Sequence, residues 1–113
     1  MSRTRGVSLQ LWAARYLARW WPHAESAGSG RAGVDILGTP GVAWEIKTAD
    51  KFSPLAFARQ AAKNAGGDLP VVIYVPRGIG KQSLDATLSI IPTGRLMDVL
   101  VEAGYAPAPK EGE

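Results

Sequence analysis

A mixed α/β fold, one central mixed sheet flanked by helices in the order αββαββα, is predicted for this chain by three observations. An apolar stripe at helical spacing opens it. Two short β-prone runs are joined by a four-residue turn, and a later continuous apolar run just after Pro70 needs cover on both faces. At 113 residues the chain suits one domain of roughly 100–150 residues, expected over 1–106, with 107–113 as a disordered tail. With 46% hydrophobic residues and four Trp it can fill a core without disulfides.

Each element follows from its local chemistry. From Ser8 to Trp21, residues Leu9, Trp12, Ala13, Tyr16, Leu17 and Trp20 fall on one helical stripe. That stripe places Trp12 and Trp20 in the core and leaves Trp21 off it, free to line an interface or stack on a base. Pro22 discourages continuation of the helix. The Gly-rich stretch from His23 to Gly33 reads as an ordered loop. Val34–Leu37 and Val42–Thr48, separated by Gly38-Thr39-Pro40-Gly41, should pair as an antiparallel hairpin. Ser53-Pro54 caps and starts a second helix from Leu55 to Ala65, closed by Gly66-Gly67. Val71–Val75 reads as a central strand and Ala86–Ile91 as another. Thr93 then caps a last helix from Gly94 to Ala103, closed by Gly104.

Composition narrows the chemistry. The chain has no Cys and one His, which excludes disulfide frameworks, thiolate zinc sites, Cys nucleophiles and any Ser-His-Asp triad without His23. No apolar run approaches the ~18 residues of a membrane span, and the N-terminus lacks an export signal, so a cytoplasmic protein is expected. Residues 1–81 carry eleven Lys/Arg against five Asp/Glu, whereas residues 82–113 carry two against five. The basic part suits a surface that accepts phosphates, though a solvated mixed-charge surface fits the same count.

The informative constellation is Asp35 with Glu45-Ile46-Lys47. Residues two apart on a strand project on one face about 6.7 Å apart, so Glu45 and Lys47 point together while Trp44, Ile46 and Thr48 point the other way. The turn brings Asp35 back toward Glu45. Two carboxylates and a lysine aimed inward from strands of Val, Ile, Leu and Trp are costly unless compensated. Bound Mg²⁺, which takes oxygen ligands and retains waters, is a sensible resolution, with Mn²⁺ as the alternative.

Gly33-Val34-Asp35-Ile36, Trp44-Glu45-Ile46-Lys47-Thr48 and the preceding Glu25 and Gly28-Ser29-Gly30 loop resemble the PD-(D/E)xK nuclease superfamily, and within it the small phage and archaeal Holliday junction resolvases. The resemblance covers roughly Leu9 to Val75. It departs at Val34, where the motif name has Pro, and at Glu25, which lies beyond Pro22 and not within the first helix. It implies a restriction-endonuclease-like fold, with Asp35, Glu45 and Lys47 as catalytic residues and Glu25 as the first acidic residue. Gln60 would lie near the site, as in many relatives. The Ile46 carbonyl is a further candidate ligand beside Asp35, Glu45 and Glu25. Lys47 would orient or deprotonate the attacking water and stabilise developing charge. Ser29, Arg31, Lys51, Arg59, Gln60, Lys63, Arg77 and Lys81 are candidate DNA contacts. The implied activity is resolution of branched double-stranded DNA in a bacterial or phage-infected cytoplasm. Two symmetric nicks then call for a C2 homodimer. Cleavage of flaps, nicked or linear DNA, or DNA binding without cleavage, are the competing expectations.

Overall fold

The computed structural model describes residues 2–28 (backbone alone over 2–8), 33–48, 51–78 and 83–110. Helix α1 (Ser2–Leu17) begins before the apolar stripe and ends before it is exhausted. Ala13, Ala14 and Leu17 are buried, and Leu9, Trp12 and Tyr16 pack against them. Past Leu17 the chain turns, with the Trp20 and Trp21 amides both donating to the Leu17 carbonyl. The turn exchanges the expected roles of these two tryptophans. Trp20 is 57% exposed, while Trp21 folds inward with its ring edge-on to Trp44 at 6.0 Å. The stripe presumes helical rotation through Trp20. Pro22 disfavours the α conformation at Trp21, and the helix gives way a turn earlier.

The predicted mixed α/β class is present, as a two-stranded sheet and a three-stranded one. Strand β1 (Glu25–Ser26) pairs antiparallel with β2 (Ile36–Leu37). Strands β3 (Val42–Lys47), β4 (Leu69–Tyr74) and β5 (Leu88–Ile90) form a sheet in that order, β3 parallel and β5 antiparallel to β4. The antiparallel ladder expected between Val34–Leu37 and Val42–Thr48 is therefore replaced. Strand β2 takes β1 as its partner, and Asp35, just ahead of β2, bridges to β3 through its amide, which donates to the Trp44 carbonyl at 3.0 Å.

The turn between β2 and β3 closes through the Val42 amide and the Thr39 carbonyl, and the buried Thr39 hydroxyl donates back to the Val42 carbonyl. Gly38 allows this turn to lie against the start of β1. Its φ is +81°, and a Cβ there would stand 2.1 Å from the His23 carbonyl oxygen. Both the left-handed conformation and the backbone contact exclude a side chain. Gly38→Ala should cost about 2–4 kcal/mol, to be read as a lowered urea midpoint.

Strand β4 is central, with Pro70, Val71, Val72 and Ile73 buried. Ile73 and Val75 join Ala13, Ala14, Leu17, Ile36 and Leu84 in the core under α1, with Trp44 and Ile46 packed against it. The other face meets helix α2 (Pro54–Ala65) through buried Ala61 and Ala65. Here Tyr74 stacks with Phe57 at 6.1 Å. Part of the strand expected over Ala86–Ile91 is instead a 3₁₀ turn at Leu84–Ala86, anchored by buried Leu84 and capped by the Ser83 hydroxyl. Helix α3 (Thr93–Glu102) has Pro92, not Thr93, at its N-cap, without a side-chain capping bond. It has no buried residue, and Leu96, Met97 and Val99 are 36%, 45% and 38% exposed. Among the described residues no helix is long and apolar enough to cross a membrane.

Candidate active site

The parallel pairing of β3 with β4 decides which groups of β3 remain available. Lys47 offers its carbonyl to the Val75 amide on the β4 side. Peptide groups alternate along a strand, so Trp44 and Ile46 present theirs to the opposite edge. Asp35 occupies that edge twice. Its amide takes the Trp44 carbonyl, and its Oδ2 accepts from the Ile46 amide at 2.8 Å. The carboxylate thus stands where a neighbouring strand would supply a carbonyl, and the Ile46 carbonyl faces the same edge.

Glu45 lies beside Asp35 and projects toward α2. It is 3% exposed, and its Oε1 accepts from Asn64 Nδ2 at 2.8 Å. Burial is the main cause that raises the Glu45 carboxyl above its ordinary pKa of 4.5. The Asn64 bond opposes that rise, as does the charge of Lys47, whereas the negative charge of Asp35 and a hydrogen bond with its carboxyl reinforce it. Lys47 shares the α2 face, half-buried. Its Nζ donates to Gln60 Oε1 at 2.6 Å and lies 5.9 Å from the centroid of the Phe57 ring. Gln60 and Asn64, one turn apart on α2, thereby hold the amine and one carboxylate of the Glu45–Lys47 pair.

Helix α1 reaches the site from the opposite face of β3. Gln10 Nε2 donates to Asp35 Oδ1 at 3.1 Å, and Gln10 Oε1 accepts from the Ser26 hydroxyl at 3.0 Å. Neither Gln10, Ser26 nor Asn64 is anticipated from the Asp-Glu-Lys spacing. A signal for Gln10 does exist, because it heads the row Gln10, Ala14, Leu17 at i, i+4, i+7, whose other two members are buried.

Of the sequence-predicted residues, Asp35, Glu45, Ile46, Lys47 and Gln60 come together. Glu25 stands apart from them, exposed on β1, where successive residues project to opposite faces. Its neighbour Ser26 is the residue turned toward Gln10 and, through it, Asp35. Lys51, Arg59 and Lys63 are exposed, the last two forming a row one turn long beside Gln60 and Asn64. Arg77 is exposed at the far end of the β4 segment. Ser29, Arg31 and Lys81 lie outside the described residues.

The donor set available to a cation is two carboxylates and a backbone carbonyl. Among the described residues there is no cluster of three or more His, Cys, Asp or Glu that could hold a metal. Hard oxygen donors few in number fit Mg²⁺ or Mn²⁺, which retain water in the remaining positions. Comparison with family models, curated proteins and solved structures finds no match to this chain.

Proposed function

We propose that this chain is a metal-dependent, structure-selective DNA endonuclease that resolves four-way junctions. The observation that carries the reading is the convergence on β3 of Asp35, anchored on the Ile46 amide, with buried Glu45 and with Lys47 held by Gln60. Asp35, Glu45 and the Ile46 carbonyl would hold Mg²⁺, which when bound supplies a Lewis acid for a non-bridging phosphate oxygen. Lys47 then orients the attacking water and offsets charge on the phosphoryl group. Water forms the new O–P bond as the P–O3′ bond breaks, leaving a 5′-phosphate and a 3′-hydroxyl. The exposed Lys51, Arg59 and Lys63 supply backbone contacts beside the site, and the two nicks of a resolved junction call for a C2 homodimer.

The test is incubation with a labelled immobile junction and a matched linear duplex, with Mg²⁺ or EDTA, alongside Asp35→Asn. Paired symmetric nicks in the junction alone, lost with EDTA and in the variant, are expected. Equal cutting of both DNAs would replace junction resolution with general nuclease activity. Tight binding without Mg²⁺- or Mn²⁺-dependent cutting would reduce the protein to a DNA-binding module.

A further inference from the structure

Three hydrogen bonds behind Asp35 run in one direction. The Gly28 amide donates to Ser26 Oγ at 3.2 Å, the Ser26 hydroxyl donates to Gln10 Oε1 at 3.0 Å, and Gln10 Nε2 donates to Asp35 Oδ1 at 3.1 Å. The other carboxylate oxygen accepts from the Ile46 amide at 2.8 Å. The terminal torsion of an Asp is broad, so a carboxylate bonded on one oxygen alone can still swivel. Donors on both oxygens remove that freedom, yet each oxygen keeps a second lone-pair direction. The Ser26 hydroxyl has a separate task. By occupying Gln10 Oε1 it fixes which end of the amide meets Asp35; without it the amide can turn and set oxygen against oxygen.

We propose that Gln10 and Ser26 form a positioning relay that locks the Asp35 carboxylate in the orientation in which it binds a divalent cation. The inference rests on the metal-nuclease reading and extends it to two residues outside the Asp-Glu-Lys set. Neither is a catalytic residue, since both act through Asp35. Such outer partners orient a ligand before the ion arrives, and their loss typically weakens metal binding without removing a ligand.

The relay is tested on the 113-residue chain with Mn²⁺ alone, in the absence of DNA, following free Mn²⁺ by electron paramagnetic resonance. Gln10→Met keeps the length of the side chain and removes the donor; Mn²⁺ affinity should fall about 10–100-fold. Ser26→Ala should weaken it less, about 3–10-fold, whereas Ser26→Thr, which restores the hydroxyl, should bind as the parent does. Circular dichroism of each variant checks that the fold is kept, and the Ala and Thr pair at Ser26 separates orientation of the amide from general destabilisation. Parent-like affinity in both Gln10→Met and Ser26→Ala, with affinity lost in Asp35→Asn, would overturn the relay and leave the metal site standing. Equal Mn²⁺ binding by the parent and Asp35→Asn would overturn the metal site itself.

Discussion

Glu45→Gln is expected to abolish Mg²⁺-dependent cleavage, by at least about 10³-fold, while making the metal-free protein more stable at neutral pH. The two effects have one cause. Glu45 is 3% exposed and stands next to a second carboxylate, so its ionised form is disfavoured in the folded chain and its pKa is raised. A carboxyl whose folded pKa lies above its unfolded value stabilises the fold below the unfolded value, and that contribution is lost as pH rises through the folded one. Gln has the same shape, keeps an oxygen to accept from Asn64 and carries no charge. Parent and variant should therefore melt alike at a pH below the ordinary value of 4.5 and diverge above it, the variant gaining about 1 kcal/mol, or roughly 4–8 °C, once Glu45 is ionised. Saturating Mg²⁺ should narrow the gap by stabilising the parent alone. Thermal melts across pH, with and without Mg²⁺, read all of this. A variant less stable than its parent at neutral pH would mean that Glu45 is held by a fixed protein charge and has no need of a cation.

Lys47→Met should lower the cleavage rate about 10²–10³-fold while changing junction affinity little. Met retains most of the apolar stem beside Phe57 and removes only the amine that Gln60 positions. Its hydrogen bond is exposed and runs to a neutral amide, but its charge also offsets the burial of Glu45, so its loss should lower the melting temperature of the metal-free protein only slightly. Single-turnover cleavage and junction binding in Ca²⁺ separate the two quantities. Equal losses in rate and binding would move Lys47 from the chemistry to a phosphate contact.

Asp35 behaves differently from Glu45 although the two are neighbours. Both oxygens of Asp35 accept from protein donors, so Asp35→Ala strands the Ile46 amide and the Gln10 amide together. A destabilisation of about 1–3 kcal/mol follows, measurable as a lower urea midpoint. Removing the acceptors of Asp35 and removing the charge of Glu45 thus act on stability with opposite sign, since Glu45→Gln keeps its bond from Asn64 whereas Asp35→Ala keeps neither of its own.

Period and punctuation make much of this legible. The α2 helix starts at Pro54, as its Ser-Pro signal implies, and the central β4 strand covers most of the continuous apolar run but opens at Leu69 and takes Pro70 into its ladder; Glu45 and Lys47 share a face because a strand repeats every two residues. Partner choice is what local sequence does not carry. Strands of two residues hold almost no pattern, so nothing local tells β2 to pair with β1 and leave the β3 edge to Asp35. The exchange of Trp20 and Trp21 has a related cause, since a stripe does not say where a helix ahead of a proline will let go. Gln10 and Asn64 contribute through contacts with residues 25 and 19 positions away, a distance at which helical and strand periods are silent.

The Asp35 side chain also has a consequence for solubility. An open strand edge is a template on which other chains can add, and proteins guard such edges with charge or with interruptions of the ladder. Here the guard is the carboxylate that accepts from Ile46, so the group proposed to bind metal also stops the sheet from growing. Replacing this residue by one without a side-chain acceptor would leave the Ile46 amide unpaired on that border. A chain with no metal-dependent activity at all would still be expected to keep an acceptor at position 35 for the sake of remaining dispersed.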